Sequence, residues 1–311
     1  TSYKQVNRLI FLFSILTLVA ILKGFYQKFI GFDAIEYNAI MESGMYKTHL
    51  LSQITRYFSI FTDAGNYGSN MGFTCVLFGI IGLFSKKFNL KIYYICISIL
   101  SLYSMFITGT RGAIVVPLGG ILLFALISKN IKLMSAATVL GACIYIFFAF
   151  TWVGESNYMI RRMRTAFRPS KDASYLVRKQ NQQKLAEYLR YKPFGEGLGL
   201  GGVEARRFSN RLTTNIPNDS TYVKIWTETG IVGIILYLLI YAGALLWGCY
   251  YIMFKVRNNE LRYLLTALAC GIFGMMISAY GNAFFTQFPT GIMMIMFLGI
   301  LINGKYIDER L

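Results

Sequence analysis

The sequence predicts an all-α fold, a polytopic transmembrane helical bundle of about eight spans with one large folded loop, and three observations carry that expectation. Apolar runs recur along the 311-residue chain, each about 17 to 22 residues long, the length a helix needs to cross a hydrocarbon core of roughly 30 Å. Charged residues make up 14% of the chain against 55% hydrophobic and 16% aromatic, where an ordinary soluble domain carries about 25% charged. Segments such as IVGIILYLLIYAGALLWGCYYIMF (231–254) have no polar face at the helical period, which a water-soluble helix would need.

The spans fall at 9–29, 68–85, 91–109, 112–128, 132–152, 229–254, 262–281 and 288–304. Alternate connections are basic: SKKFNLK (85–91), SKNIK (128–132) and KVRNNELR (255–262), together with YKQVNR at the start and KYIDER at the end. A Lys/Arg excess in short loops marks the cytoplasmic side, so both termini are expected there. The opposite side then holds 30–67, the TGTRG hairpin (108–112), the long segment 153–228 and NAFFTQFP (282–289). The long segment is basic too, but orientation is read from short loops, and long ones translocate largely regardless of charge. The chain opens on Thr1, and no small-residue cleavage site follows its first apolar run. A retained span within a longer protein is therefore expected.

Within 153–228, DASYLVRKQNQQKLAEYLRYKPFGEG (172–197) reads as a helix of its own. Asp172 can cap it, Pro193 and Gly195 end it, and Tyr175, Leu185, Tyr188 and Leu189 supply an apolar side. The long segment is thus expected to be a positively charged cap on a single membrane-embedded domain spanning 1–311, which contains no internal repeat or low-complexity tract.

The formal net charge is +17, and most of it lies in loops, which points to phosphate-bearing or membrane-surface partners. Nucleic acid is disfavoured because no basic tail, zinc spacing or RNA-binding motif accompanies the charge. Cys75, Cys96, Cys143, Cys249 and Cys270 all fall in apolar runs, offering neither a disulfide framework nor a metal set. His49 is the one histidine. It is expected to be an exposed loop residue, and neither a metal nor another cofactor is expected.

Several residues could carry chemistry. Arg111, flanked by glycines in ITGTRGAIV, cannot shed its charge; it either snorkels to headgroups or faces an anion, and the glycines favour the second by permitting close approach. Arg161, Arg162, Arg164 and Arg168 lie within two turns, and the plainer reading is a solvated face on anionic headgroups. Arg178 sits in the first turns of the cap helix, either aimed inward or simply exposed. The glycine-dense PFGEGLGLGG (193–202) has no strand before it and opens no helix of a parallel-sheet unit, so it reads as a tight turn folding the cap back onto the spans. Asp219 lies in NDST just before a span. It is open to two compatible readings, an N-cap for that helix and a carboxylate at the water boundary able to take a proton or hold a hydroxyl.

These pieces resemble the bacterial O-antigen polymerase/ligase family, which includes Wzy-type polysaccharide polymerases and the ligases that attach O-antigen to lipid A core. Family ligases carry His, then Asn, Ser or Gln, then nine residues and Gly-x-x-Gly/Thr/Tyr; here Asp219, Ser220, nine residues, Gly230, two residues and Gly233 fit that spacing. TGTRGA is similar to the family's Ser/Thr-Arg-Gly hairpin, RKQNQQKLAEYLRYKPFGEGLG to its Arg-bearing outer helix and Pro-x-Gly-x-Gly turn, and RYFSIFTDAGNYGSNMG to its outer segment before an early span. Two departures stand out. Aspartate replaces the ligase histidine, which fits the polymerase branch, and the family's ten to twelve spans imply that N-terminal helices are missing.

The resemblance implies a GT-C-like membrane glycosyltransferase in the bacterial inner membrane, with its site on the periplasmic or extracellular side. It polymerises polyprenyl-diphosphate-linked repeat units without a metal. A lipid-linked glycan is the donor and a sugar hydroxyl on another lipid-linked unit the acceptor; a chain-length regulator and a flippase are possible partners. In that scheme Arg111 and Arg178 hold the diphosphate and Asp219 orients and deprotonates the acceptor hydroxyl. Arg56, Arg161, Arg162, Arg164, Ser220 and Tyr222 are further substrate contacts. The alternatives are a ligase with a different acceptor and a lipid-linked glycan transporter or flippase. The latter calls for interrupted helices and polar groups at the midplane, whereas these spans are nearly free of charge away from their ends.

Overall fold

The computed structural model describes residues 2–51, 54–128, 131–167 and 173–311. In chain order its helices are α1 (Tyr3–Phe29), α2 (Ala34–Glu42), α3 (Tyr46–His49), α4 (Ala64–Phe84), α5 (Phe88–Ile107), α6 (Val115–Ser128), α7 (Ile131–Phe150), α8 (Tyr158–Arg164), α9 (Ala173–Leu189), α10 (Leu212–Asn215), α11 (Thr221–Phe254), α12 (Asn259–Ser278), α13 (Thr290–Ile302) and α14 (Gly304–Asp308). A 3-10 turn over Arg111–Ile114 leads into α6, and a two-residue antiparallel ladder pairs Leu50–Leu51 with Ile54–Thr55.

Each expected span is a helix, so the all-α bundle stands. Among the described residues, six helices are long and apolar enough to cross a membrane: α1, α4, α5, the Arg111–Ser128 stretch containing α6, α11 and α12. The fifth and eighth expected spans correspond to the shorter apolar helices Met134–Phe150 and Thr290–Ile302. Two helices begin well over one turn earlier than expected. α1 starts at Tyr3 because Ser2 and Gln5 form a reciprocal capping box, and reciprocal satisfaction of orphan amides extends a helix past its apolar run. α11 starts at Thr221 and absorbs the polar turn that the sequence reading left in the loop.

The buried face of α1 runs through Val6, Ile10, Ser14, Thr17, Ile21 and Gly24, while Leu12, Leu16, Val19 and Leu22 point outward. Outward apolar faces of this kind are solvated by lipid, and the inward faces carry smaller and hydroxyl side chains that let helices approach. Ser14 and Thr17 satisfy their hydroxyls on the carbonyls of Phe11 and Phe13 in their own helix. The centre of the bundle is α4 and α12, each with 72% of its apolar window buried, whereas α11 has 11% and lies at the periphery. α12 meets α6 at Gly274, where a Cβ would stand 2.2 Å from the carbonyl oxygen of Val116. Phe13, Phe73 and Phe297 interlock α1, α4 and α13, with ring centroids 5.0 and 5.3 Å apart in edge and stacked pairs. Such arrangements match the aromatic quadrupole.

Within 153–228 the expected cap helix is α9. Leu185 and Leu189, one turn apart, are buried and Tyr188 is half-buried. Tyr175, expected on the same side, is exposed, since only the C-terminal half of the predicted face packs inward. The expected cap residue Asp172 lies outside the described residues. At one end of the bundle stand the start of α4, the α5–α6 hairpin and the end of α12. The 21 residues of α4 carry the chain about 30 Å to the other end, at 1.5 Å per residue.

Candidate active site

The Thr108–Arg111 hairpin is held by two guanidinium groups from distant segments. Arg56 donates from Nε to Thr108 O (3.1 Å), from Nη1 to Thr48 O (3.3 Å) and from Nη2 to Thr110 Oγ1 (2.8 Å). Arg162, on α8, donates from Nε to Gly109 O at 2.8 Å. The hairpin in turn presents Arg111, whose Nη1 donates to Thr165 Oγ1 at 2.8 Å. Burial, together with the nearby charges of Arg162, Arg111 and Arg178, pushes Arg56 down to about 10. It remains charged at neutral pH, and its shift registers three other guanidiniums within electrostatic reach of it.

Asp219 faces this group. Its Oδ2 lies 3.5 Å from Arg178 Nε, and the two side chains are 45% and 38% exposed, so the pair meets solvent. Arg178 Nη1 also donates to Gly281 O at 3.3 Å. The N-cap reading of Asp219 is corrected here. Ser220 occupies the N-cap position of α11 without a side-chain cap bond, and its Oγ donates to Ala279 O at 3.2 Å. The first helical amide, Thr221 N, is satisfied by Ala279 O (3.0 Å) and Asn282 O (3.2 Å) from the turn after α12. Because the backbone of that turn does the capping, the carboxylate is left to face Arg178. A cleft of about 10 Å³ lies between them, bounded also by Asn181, Gln182 and Tyr280, space for about one water.

The turn after α12 joins these parts. Ser278 Oγ donates to Gly112 O in the hairpin at 2.9 Å, and Asn282 Nδ2 reaches Ser278 Oγ at 3.4 Å. The amide of Asn282 lies where a Cβ on Gly112 or Gly65 would go. Gly281, Ala279 and Asn282 therefore tie Arg178, the start of α11 and the Arg111 hairpin to one backbone segment. Sequence reading missed Asn282; its one signal was a polar residue beside Gly281 in an otherwise apolar turn.

Two further residues organise the start of α4. Asp63 Oδ1 caps it, accepting from Gly65 N (2.6 Å) and Asn66 N (2.9 Å). His49 Nε2 accepts from Ala64 N at 3.1 Å, which assigns the ring proton to Nδ1, facing Met45 O at 3.3 Å. The expectation of an exposed His49 is corrected: the residue is 3% exposed. Burial first, then the charge of Arg56, pushes its pKa down to about 4.

The basic cluster does not behave as one solvated face. Arg161 is exposed, Arg162 reaches the hairpin, and Arg164 is buried. Arg164 Nη2 donates to Val153 O at 2.6 Å, and its guanidinium lies 5.7 Å from the Phe147 ring, turned back toward α7. Arg168 lies outside the described residues. Ser220 lines the cleft. The Tyr222 hydroxyl instead donates into the bundle, to Met276 O, and does not join the arginine group.

The glycine-dense turn splices the cap into α11. Glu196 N donates to Thr227 O (3.0 Å), Gly197 N to Glu228 O (2.9 Å) and Val232 N to Pro193 O (3.2 Å). Loop backbone thus takes the place of the helix's own ladder, and that substitution is a physical cause of a kink. The kink is at Gly230, with φ 67° and ψ −168°, where a Cβ would fall 2.0 Å from Pro193 O. Glu196, its side chain 2% exposed, is held between Lys192 and Arg211. Burial opposes its ionisation, but the hydrogen bonds from Lys192 and Arg211 prevail and hold it below the usual carboxylate range.

No curated protein and no solved structure matches the chain. Residues 96–238 match the family model described as O-antigen ligase. The matched stretch contains Arg111, Arg162, Arg178 and Asp219 and extends past the kink in α11; Arg56 and Asn282 lie outside it. Found on a bundle of apolar helices, this match, over a little under half of the chain, supports an assignment to the O-antigen polymerase/ligase family.

Proposed function

We propose that the protein is an integral-membrane glycosyltransferase that polymerises polyprenyl-diphosphate-linked oligosaccharide repeat units. The observation that carries this reading is the placement of Asp219 against Arg178, with Arg56, Arg111 and Arg162 in the same electrostatic group. The acceptor hydroxyl attacks the anomeric carbon of the donor, a C–O bond forms, the bond to the diphosphate breaks, and the hydroxyl proton passes to Asp219. Arg111 and Arg178 hold the diphosphate as its charge develops, since planar guanidiniums suit two-point contact with phosphate oxygens. Arg56 acts through the hairpin that it clamps, as a positioning residue. Most of the acceleration comes from aligning two substrates beside fixed positive charge.

Arg111, Arg178 and Asp219 converge at one end of the bundle, which this reading places on the periplasmic or extracellular side. The basic short connections at the other end support that orientation. The second reading, transfer to a different acceptor as a ligase, is favoured by the description of the matched family model.

The test uses the full chain purified in lipid with a synthetic polyprenyl-diphosphate repeat unit, and a gel that resolves chain length. A ladder from wild type, lost in Asp219→Asn with folding intact, supports polymerisation through this carboxylate. A single transfer to an added lipid acceptor, with no ladder, selects the ligase reading. An undiminished ladder in Asp219→Asn removes Asp219 from the chemistry.

A further inference from the structure

At the end of the bundle opposite Asp219, a cleft of about 720 Å³ opens between the start of α1, the α4–α5 connection and the start of α12. Its size falls within the range of sites that hold drug-sized or larger ligands, roughly 300–1,000 Å³. Lys4, Arg8, Lys86 and Lys87 line it against one carboxylate, Glu260. Glu260 is committed to Lys86 at 3.0 Å and to the Tyr3 hydroxyl at 3.2 Å. Lys4, Arg8 and Lys87 are exposed and have no ion pair among the described residues. Beneath these cations the lining turns apolar, with Ile10, Tyr94 and Leu264 buried at its floor. Phe84 stacks on Tyr263 at 3.9 Å along one wall.

We propose that this cleft is a binding site for an anionic phospholipid of the leaflet opposite the candidate active site. The headgroup phosphate sits among Lys4, Arg8 and Lys87, and an acyl chain lies along the apolar floor. The division of the cleft supports this occupant. Three unpaired cations at the rim match a phosphate, and basic pockets between transmembrane helices are suited to anionic headgroups. A free phosphate would use the rim alone and leave the floor uncovered, whereas an uncharged lipid would leave the cations without a counter-charge. The start of α4 lies beside Asp63 and its end lines the cleft, so the two sites are separated by about 30 Å of helix. The lipid is therefore distinct from any donor bound at Asp219, and this inference rests on the membrane fold and not on the proposed activity.

The test is native mass spectrometry of the full chain released from nanodiscs of mixed phosphatidylglycerol and phosphatidylcholine. Wild type is compared with K4Q/R8Q/K87Q, with Leu90→Trp, which fills the cleft from its exposed side, and with K91Q/K255Q/K305Q, three lysines outside the cleft lining. Wild type is expected to retain phosphatidylglycerol in preference to phosphatidylcholine. The cleft triple loses that preference by roughly tenfold to a hundredfold, at about 1 kcal/mol per cation before screening. Leu90→Trp lowers retention of both lipids, and the outer triple keeps the wild-type preference. Equal losses in the two triples would show diffuse attraction to the membrane and overturn the site. So would the absence of any preference in wild type. The substituted cations are exposed, so their removal leaves the packing of α1 and of the α4–α5 connection intact.

Discussion

Arg178 Nε stands 3.5 Å from Asp219 Oδ2, bringing α9 of the 153–228 segment against the turn that leads into α11. Because both side chains are more than a third exposed, the pair adds little to stability, about 0–1 kcal/mol for pairs of this kind. Asp219→Asn is therefore expected to leave the thermal unfolding midpoint nearly unchanged while lowering glycosyl transfer by about 10²- to 10⁴-fold, the range for a positioned acid or base. Unfolding in detergent and chain-length gels on the same preparations check the two halves of this expectation.

Arg56 is expected to give the opposite profile. Three of its N–H groups are committed to Thr48, Thr108 and Thr110, and at this half-buried position losing a charged hydrogen bond costs up to about 1.5–3 kcal/mol. Arg56→Ala should lower the unfolding midpoint and activity together. Arg56→Lys, lacking the planar fork, should restore little of either. A variant that unfolds like wild type would show that the hairpin is held by other contacts.

His49 makes stability depend on pH. Its pKa is about 4 in the folded protein against about 6.5 for an unperturbed histidine. Above pH ~6.5 the ring is neutral in both states and contributes no slope. As the pH falls from about 6.5 to about 4, the unfolded state takes up a proton that the folded state refuses, so stability declines, by on the order of 3 kcal/mol in total. Below about 4 this contribution is flat. His49→Gln, which keeps an acceptor for Ala64 N and does not titrate, should remove that slope. Hydrogen exchange at the start of α4, followed from pH 7 to 4, is the direct measurement.

Gly230→Ala is expected to be among the most damaging single-methyl changes in the chain. It would combine a positive φ with a Cβ 2.0 Å from Pro193 O, and such backbone strain costs of order 1–3 kcal/mol before the collision is counted. Gly243→Ala, on the same helix with nothing within 4 Å of the added Cβ, should be neutral or gain about 0.5–1 kcal/mol. Limited proteolysis of the 193–202 turn, compared between the two variants, reports whether the splice has opened.

Helices were legible because a run of apolar residues long enough to span a bilayer carries its own signal. Arg111, Arg178 and Asp219 could be singled out as candidates, through short motifs in a fixed order along the chain. How residues far apart in sequence meet was not. Arg56 reads as an outer arginine like any other, and only the return of the hairpin shows it half-buried and clamping Thr108 and Thr110. Asp219 reads as a helix cap because its neighbours are Asn218 and Ser220, yet the capping carbonyls come from Ala279 and Asn282, some sixty residues onward. His49 looked exposed because local polarity does not reveal that Ala64 N donates to its Nε2.

The splice between the 193–202 turn and α11 is made of amides and carbonyls, which every residue but proline can supply in full. Its attachment points constrain backbone shape and leave several neighbouring side chains unconstrained: Phe194 and Leu198 project almost fully into the surroundings, 73% and 82% exposed. Sequence drift can accumulate at such positions without loosening the cap from the membrane helix. The turn against α11 is therefore a surface whose side chains can be exchanged while the backbone at Gly230 keeps the splice closed.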